Sequence, residues 1–99
     1  MILYIWEFKI NQKKVIDFEK AYSSDGLWAQ LFRKDSRYIK TKLIRDSQDQ
    51  NHYLTIDYWK DSQSFDLFKE KFKSEYEYLD KIYESFTESE KFLGNFEEL

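Results

Sequence analysis

Asp57 and Trp59 stand two residues apart in the run Tyr53-Leu54-Thr55-Ile56-Asp57-Tyr58-Trp59. The β-branched and aromatic residues of that run suit a strand with both faces covered. A period of two places Tyr53, Thr55, Asp57 and Trp59 on one side. A carboxylate in the middle of an apolar strand costs free energy unless it is paired or exposed. Facing a cleft, its pKa rises, which suits it to accept a proton from a bound ligand. Facing a Lys or Arg of a neighbouring strand, it is a structural ion pair. Trp59 either stacks on an aromatic ligand or packs on a helix. Glu7, within Ile2–Ile10, carries the same two readings as Asp57, and in the structural one the two carboxylates compete for one basic partner.

Strand Tyr53–Trp59 must be followed closely by a helix. Asp61 and Ser62 can each cap one, and Phe65, Phe68 and Phe72 then recur three and four apart. So short a connection folds the helix over the face that holds Asp57 and Trp59. A small-molecule cleft is expected in that gap. Its catalytic pair is expected to be Asp57 and Trp59, and its ligand-lining residues Thr55, Phe65, Phe68, Tyr76, Trp28 and Glu7.

The remaining elements follow from periodicity. Ile2, Tyr4, Trp6, Phe8 and Ile10 make one wholly apolar face of a first strand, after which Val15, Phe18 and Tyr22 mark a helix. Ser23, Ser24, Asp25 and Gly26 break it, and Leu27, Trp28, Leu31 and Phe32 mark a second helical piece. Arg37–Arg45 alternates as a second strand with a Lys-bearing, wet face, and residues 46–51 form a polar hairpin loop. The apolar stripe continues through Tyr76, Leu79, Tyr83 and Phe86, with a bend expected at Ser74, where Ser74 and Glu77 match a capping box. Thr87 and Glu90 match a second box and predict one helical turn there, before a short strand Phe92–Glu97 weakened at Gly94.

The order β, α, β, β, α, β predicts one α+β domain over residues 1–99, a ferredoxin-like four-stranded antiparallel sheet with helices on one face. Leu3, Ile5, Leu54, Ile56 and Tyr58 then lie on the uncovered face, and a homodimer with sheet against sheet is the symmetric way to cover them.

Composition excludes several chemistries. Without cysteine there are no disulfides, thiolate metal sites or cysteine nucleophiles. Two glycines leave no Gly-rich phosphate loop, and no spacing of ligand residues suggests a metal, so no cofactor is expected. A net charge of −3 gives no nucleic-acid footprint. The basic residues Arg33, Lys34, Arg37, Lys40, Lys42 and Arg45 and the acidic ones Glu75, Glu77, Asp80, Glu84, Glu88 and Glu90 are expected to be solvated faces or to complement each other across a dimer. The start has no signal-like region and nothing approaches a membrane span, so a cytoplasmic protein without a membrane partner is expected. His52, the single histidine, is expected to be solvated.

Phe18-Glu19-Lys20-Ala21-Tyr22, Trp28-Ala29-Gln30-Leu31-Phe32-Arg33, Tyr53 to Trp59, Glu75-Tyr76 with Leu79-Asp80, and Thr87-Glu88-Ser89-Glu90 together resemble the antibiotic biosynthesis monooxygenase-like family. The resemblance implies a dimeric α+β barrel with a cleft between sheet and helices in each subunit. Some members of that family oxidise polycyclic phenols to quinones without metal or flavin, using an Asn and a Trp on the third strand and a Tyr on the next helix. Trp59 matches the Trp, whereas Thr55 and Phe65 stand at the Asn and Tyr positions. Haem-degrading members use an Asn, a Trp and a His at positions that here hold Glu7, Phe68 and Tyr78, so that set is not kept. The resemblance therefore implies a cofactor-independent monooxygenase-like protein acting on a small phenolic compound, or a non-catalytic small-molecule-binding or structural barrel.

Overall fold

The computed structural model describes all residues, 1–99. Strand β1 (Ile2–Ile10) leads through a 3-10 turn into helices α1 (Val15–Tyr22) and α2 (Leu27–Phe32). Strands β2 (Tyr38–Arg45) and β3 (His52–Trp59) form a hairpin, followed by α3 (Ser64–Lys71), α4 (Lys73–Tyr83), a second 3-10 turn at Glu84–Phe86, and β4 (Thr87–Glu97). The sheet has the order β2-β3-β1-β4 and every pairing is antiparallel. This is the expected ferredoxin-like arrangement.

The period of two decides what lies under the helices. Tyr4, Phe8 and Ile10 of β1 and Tyr53, Thr55 and Trp59 of β3 are buried on that face. Full burial of a large apolar side chain stabilises by about 1.5–3 kcal/mol. The helix-side core falls into two clusters. One gathers Tyr4, Trp28, Phe32, Trp59, Phe65 and Phe68 with their neighbours; the other holds Phe8, Ile10, Phe18 and Tyr53.

The first crossover is broken where the polar run predicts. The Gly26 N–H donates to Ser23 O at 2.9 Å, and the position admits no side chain, since a Cβ there would lie 2.5 Å from Ala21 O. The Arg33 guanidinium returns to this loop, donating to Asp25 Oδ1 and Ser24 O.

Four local expectations need correction. Helix α3 starts at Ser64, and its first turn is held by Asp61, whose Oδ1 accepts from the Ser64 N–H and hydroxyl and from the Gln63 N–H; Ser62 is no cap, and its carbonyl accepts from the Tyr4 hydroxyl. The α3–α4 bend falls at Phe72, two residues before Ser74, with no side-chain cap on either side. Residues Thr87 to Glu90 are strand, not a helical turn: they pair with β1, and Thr87 Oγ1 donates back to Glu84 O. In β2 a register shift between Tyr38 and Lys40 breaks the alternation, so Tyr38 and Thr41 are buried together while Ile39 is exposed.

Candidate functional site

Asp57 is centred on the sheet, opposite Tyr4 of β1 and opposite Thr41 of β2. The Thr41 hydroxyl donates to Asp57 Oδ1 at 2.6 Å. The Tyr38 hydroxyl lies 2.7 Å from Thr41 Oγ1, and because that oxygen's single proton is committed to Asp57, Tyr38 is the donor. A relay of two hydroxyls thus ends on the carboxylate. No cation pairs with Asp57, so the ion pair from a neighbouring strand does not form. Burial pushes the Asp57 carboxyl up to about 6, against the downward pull of the Thr41 hydrogen bond.

Asp57 faces a cavity of about 160 Å³ between sheet and helices. β1 supplies Trp6 and Phe8; α1 and α2 supply Tyr22, Trp28 and Phe32; the sheet adds Thr41 and Thr55. Phe65 and Tyr76 close the helical side, and Asp80 and Glu90 complete the lining. No set of His, Cys, Asp and Glu side chains is grouped to hold a metal ion. For scale, an apolar cavity of about 150 Å³ in another protein takes up benzene.

Of the expected site residues, Asp57, Thr55, Phe65, Tyr76 and Trp28 line this cavity. Three other expected site residues are elsewhere. Trp59 is 0% exposed, its ring packed 5.3–5.4 Å from Phe32, Tyr38, Phe65 and Phe68. It presents no face for stacking on a ligand in the cavity. Phe68 is equally sealed, behind Phe65 and against Phe72. Glu7 points to the opposite face of the sheet, where Oε2 meets His52 Nε2 at 2.8 Å.

His52 is accordingly not a free solvated side chain. Its other ring nitrogen lies 2.8 Å from Asp46 Oδ2, and the Asp46 and then the Glu7 hydrogen bonds hold its pKa above the ordinary value. Glu7 and Asp57 therefore do not share a basic partner.

Sequence reasoning missed several of the cavity's residues. The period of two puts Thr41 off the Lys-bearing face, but the register shift that buries Tyr38 beside it is not visible to that period. Asp80 carried a readable signal: it follows Tyr76 by four residues and so shares its helix face. Glu90 lay in a segment read as helix, so its side was unassigned.

The indole N–H of Trp28 is buried without a hydrogen-bond partner. Tyr22 is close enough for that indole to lower the pull of burial on its phenol, yet the two do not reach hydrogen-bond geometry, and burial still leaves the Tyr22 pKa raised.

No family model matches the chain and no curated protein matches it in sequence. Solved structures do match in shape. A variant of SnoaB, a cofactor-independent oxygenase from Streptomyces nogalater, superposes with a TM-score of 0.82 at 15% identity, over 98% of this chain and 91% of that one. The chain has the fold of the antibiotic biosynthesis monooxygenase-like proteins. A protein of Deinococcus radiodurans assigned as an antibiotic biosynthesis monooxygenase shares this fold with a TM-score of 0.79 at 10% identity, over 100% and 93% of the two chains. A conserved protein from Methanosarcina mazei Go1 shares it at 0.74 and 12% identity, over 99% and 92%. At such identities the likeness is one of backbone path, and the side chains of the cavity must speak for themselves. No helix is long and apolar enough to cross a membrane.

Proposed function

We propose that this chain is a cofactor-free, monooxygenase-like protein acting on a small phenolic compound held in the cavity beside Asp57. The observation that carries the reading is Asp57 itself: a carboxylate with a pKa raised to about 6, unpaired with any cation, facing an aromatic cavity. Its fold companion SnoaB is a cofactor-independent oxygenase.

In this reading Asp57 takes the phenolic proton, which leaves an electron-rich anion that reacts with O2 directly. One oxygen atom enters the ring to give a quinone and the other departs as water. The phenol loses four electrons and O2 gains four, so no external reductant is required. The cavity volume favours a single aromatic ring. The test is oxygen uptake and quinone absorbance with hydroxyarenes of one, two and three rings. A rate above buffer that disappears in Asp57→Asn supports the reading; rates equal to buffer for every compound end it.

A second reading, a non-catalytic small-molecule-binding or structural barrel, is favoured by one observation. Trp59 is sealed in the core, and Thr55 and Phe65 stand where the family resemblance implies an Asn and a Tyr. Saturable binding of a phenol without oxygen uptake would select this reading.

In both readings a second copy covers the sheet's open face. Leu3, Ile5, Leu54 and Ile56 are only half-buried there and Ile44 is exposed, a contiguous apolar surface of the kind that symmetric pairing removes from water.

A further inference from the structure

The cavity is lined by three carboxylates and no basic side chain. Asp57 lies at its half-buried floor, whereas Asp80 on α4 and Glu90 on β4 stand exposed at its mouth. The protein's own phenols report what this arrangement does to a guest. Tyr76 is pushed up to about 12 by burial and then by Asp80, Asp57 and Glu90 in turn. A neutral phenol in the same place therefore gives up its proton less readily than in water, which opposes the chemistry proposed for Asp57. A positive group entering with the ligand would offset the carboxylates' share of that effect.

A second feature points to the ligand's hydroxyl. The Asp57 carboxylate accepts one side-chain hydrogen bond, from Thr41 at Oδ1, which leaves Oδ2 for a donor of the ligand. The carboxylates are not grouped to bind a metal ion, and the aromatic walls suit an organic cation, which is drawn to ring faces.

We propose that the ligand of this cavity is a hydroxyarene bearing a protonated amine, with its hydroxyl turned to Asp57 and its ammonium held at the mouth by Asp80 and Glu90. The inference rests on the reading of the cavity as a phenol site and adds the amine to it. The ammonium offsets the field of the three carboxylates, so that the phenolic proton can leave. It also sets the direction in which the ring enters.

The test is calorimetric titration of the full chain near neutral pH with four single-ring probes: tyramine, para-ethylphenol, phenethylamine and para-hydroxyphenylpropionate. Tyramine is expected to bind at least about tenfold more tightly than para-ethylphenol, with the propionate weakest. Asp80→Asn and Glu90→Gln are each expected to shrink that preference to within about threefold. Equal binding of para-ethylphenol and tyramine overturns the amine and leaves the phenol reading standing. Equal binding of phenethylamine and tyramine overturns the role of the hydroxyl and with it the phenol reading. Failure of all four probes to bind overturns both. Because the comparison among probes is made on the unaltered protein, a variant that does not fold changes none of these outcomes.

Discussion

Thr41 and Asp57 are direct partners across the β2–β3 pair, and the hydroxyl of the first donates to the carboxylate of the second at 2.6 Å. Tyr38 stands behind Thr41 in the same relay. The carboxylate is thus oriented by neutral groups alone, which fixes its position without neutralising it. That combination of a held geometry and a raised pKa is what a proton acceptor working near neutrality needs.

Asp57→Asn is expected to lower turnover of any phenolic substrate by roughly 10²–10⁴-fold. In the unaltered protein, the rate should rise with pH through about 6, as the carboxyl ionises. Stability should move the other way. The folded-state pKa lies above the unfolded one, so this group's contribution is complete below the unfolded value of 3.8 and lost as pH rises through about 6. The loss is about 3 kcal/mol, and chemical denaturation of both forms across this window should show it only where Asp57 is present.

Trp59→Ala is expected to cost about 3–5 kcal/mol, because it empties a fully buried site walled by four aromatic rings. Trp59→Phe should keep most of the stability and all of the ligand affinity. A ligand affinity that falls with Trp59→Phe while stability holds would show that the indole touches the ligand after all.

Much of this could be read from residues in order. The hydrophobic periods of β1 and β3 are long and unbroken, so their inward faces were plain, and Asp57 stood out as a charge among apolar neighbours. What escaped was set by tertiary partners. Trp59 is on the predicted face, but whether it lines a cavity depends on Phe32, Tyr38 and Phe68, which come from three other elements. Strand β4 misled for a physical reason: it is a sheet edge, exposed along nearly its whole length, so no burial pattern competes with the capping-box residues Thr87 and Glu90.

Gly26→Ala is expected to destabilise by roughly 1–3 kcal/mol. The added methyl would sit 2.5 Å from Ala21 O and 2.7 Å from Lys20 O, and these are backbone atoms that cannot swing away. Thermal unfolding should report it, whereas Ser24→Ala, in the same loop but exposed, should have little effect.

The His52 clamp sets a second pH window. Asp46 and then Glu7 raise the His52 pKa, so the stabilisation is complete below the ordinary value of 6.5 and lost as pH rises through the higher folded-state value. His52→Gln should flatten the stability profile above about pH 6.5 and leave the lower, Asp57 window intact. A profile unchanged by this substitution would show that the imidazole binds its proton equally in both states.

Ile56→Lys is expected to hold the chain as a monomer while its fold and its cavity persist, since Ile56 lies on the sheet face away from the helices. Sedimentation of both forms at micromolar concentration checks this. An unaltered chain that already sediments as a monomer removes the sheet-to-sheet pairing.

The cavity lies along the seam between the two aromatic clusters, touching Phe8 of one and Trp28, Phe32 and Phe65 of the other. Tyr22 already packs against both clusters, and an occupant is expected to add to that tie, so that the two halves of the interior open less independently. A small molecule bound there would then also govern how the protein breathes, and amide hydrogen exchange along the middle of β1 would slow as the site fills.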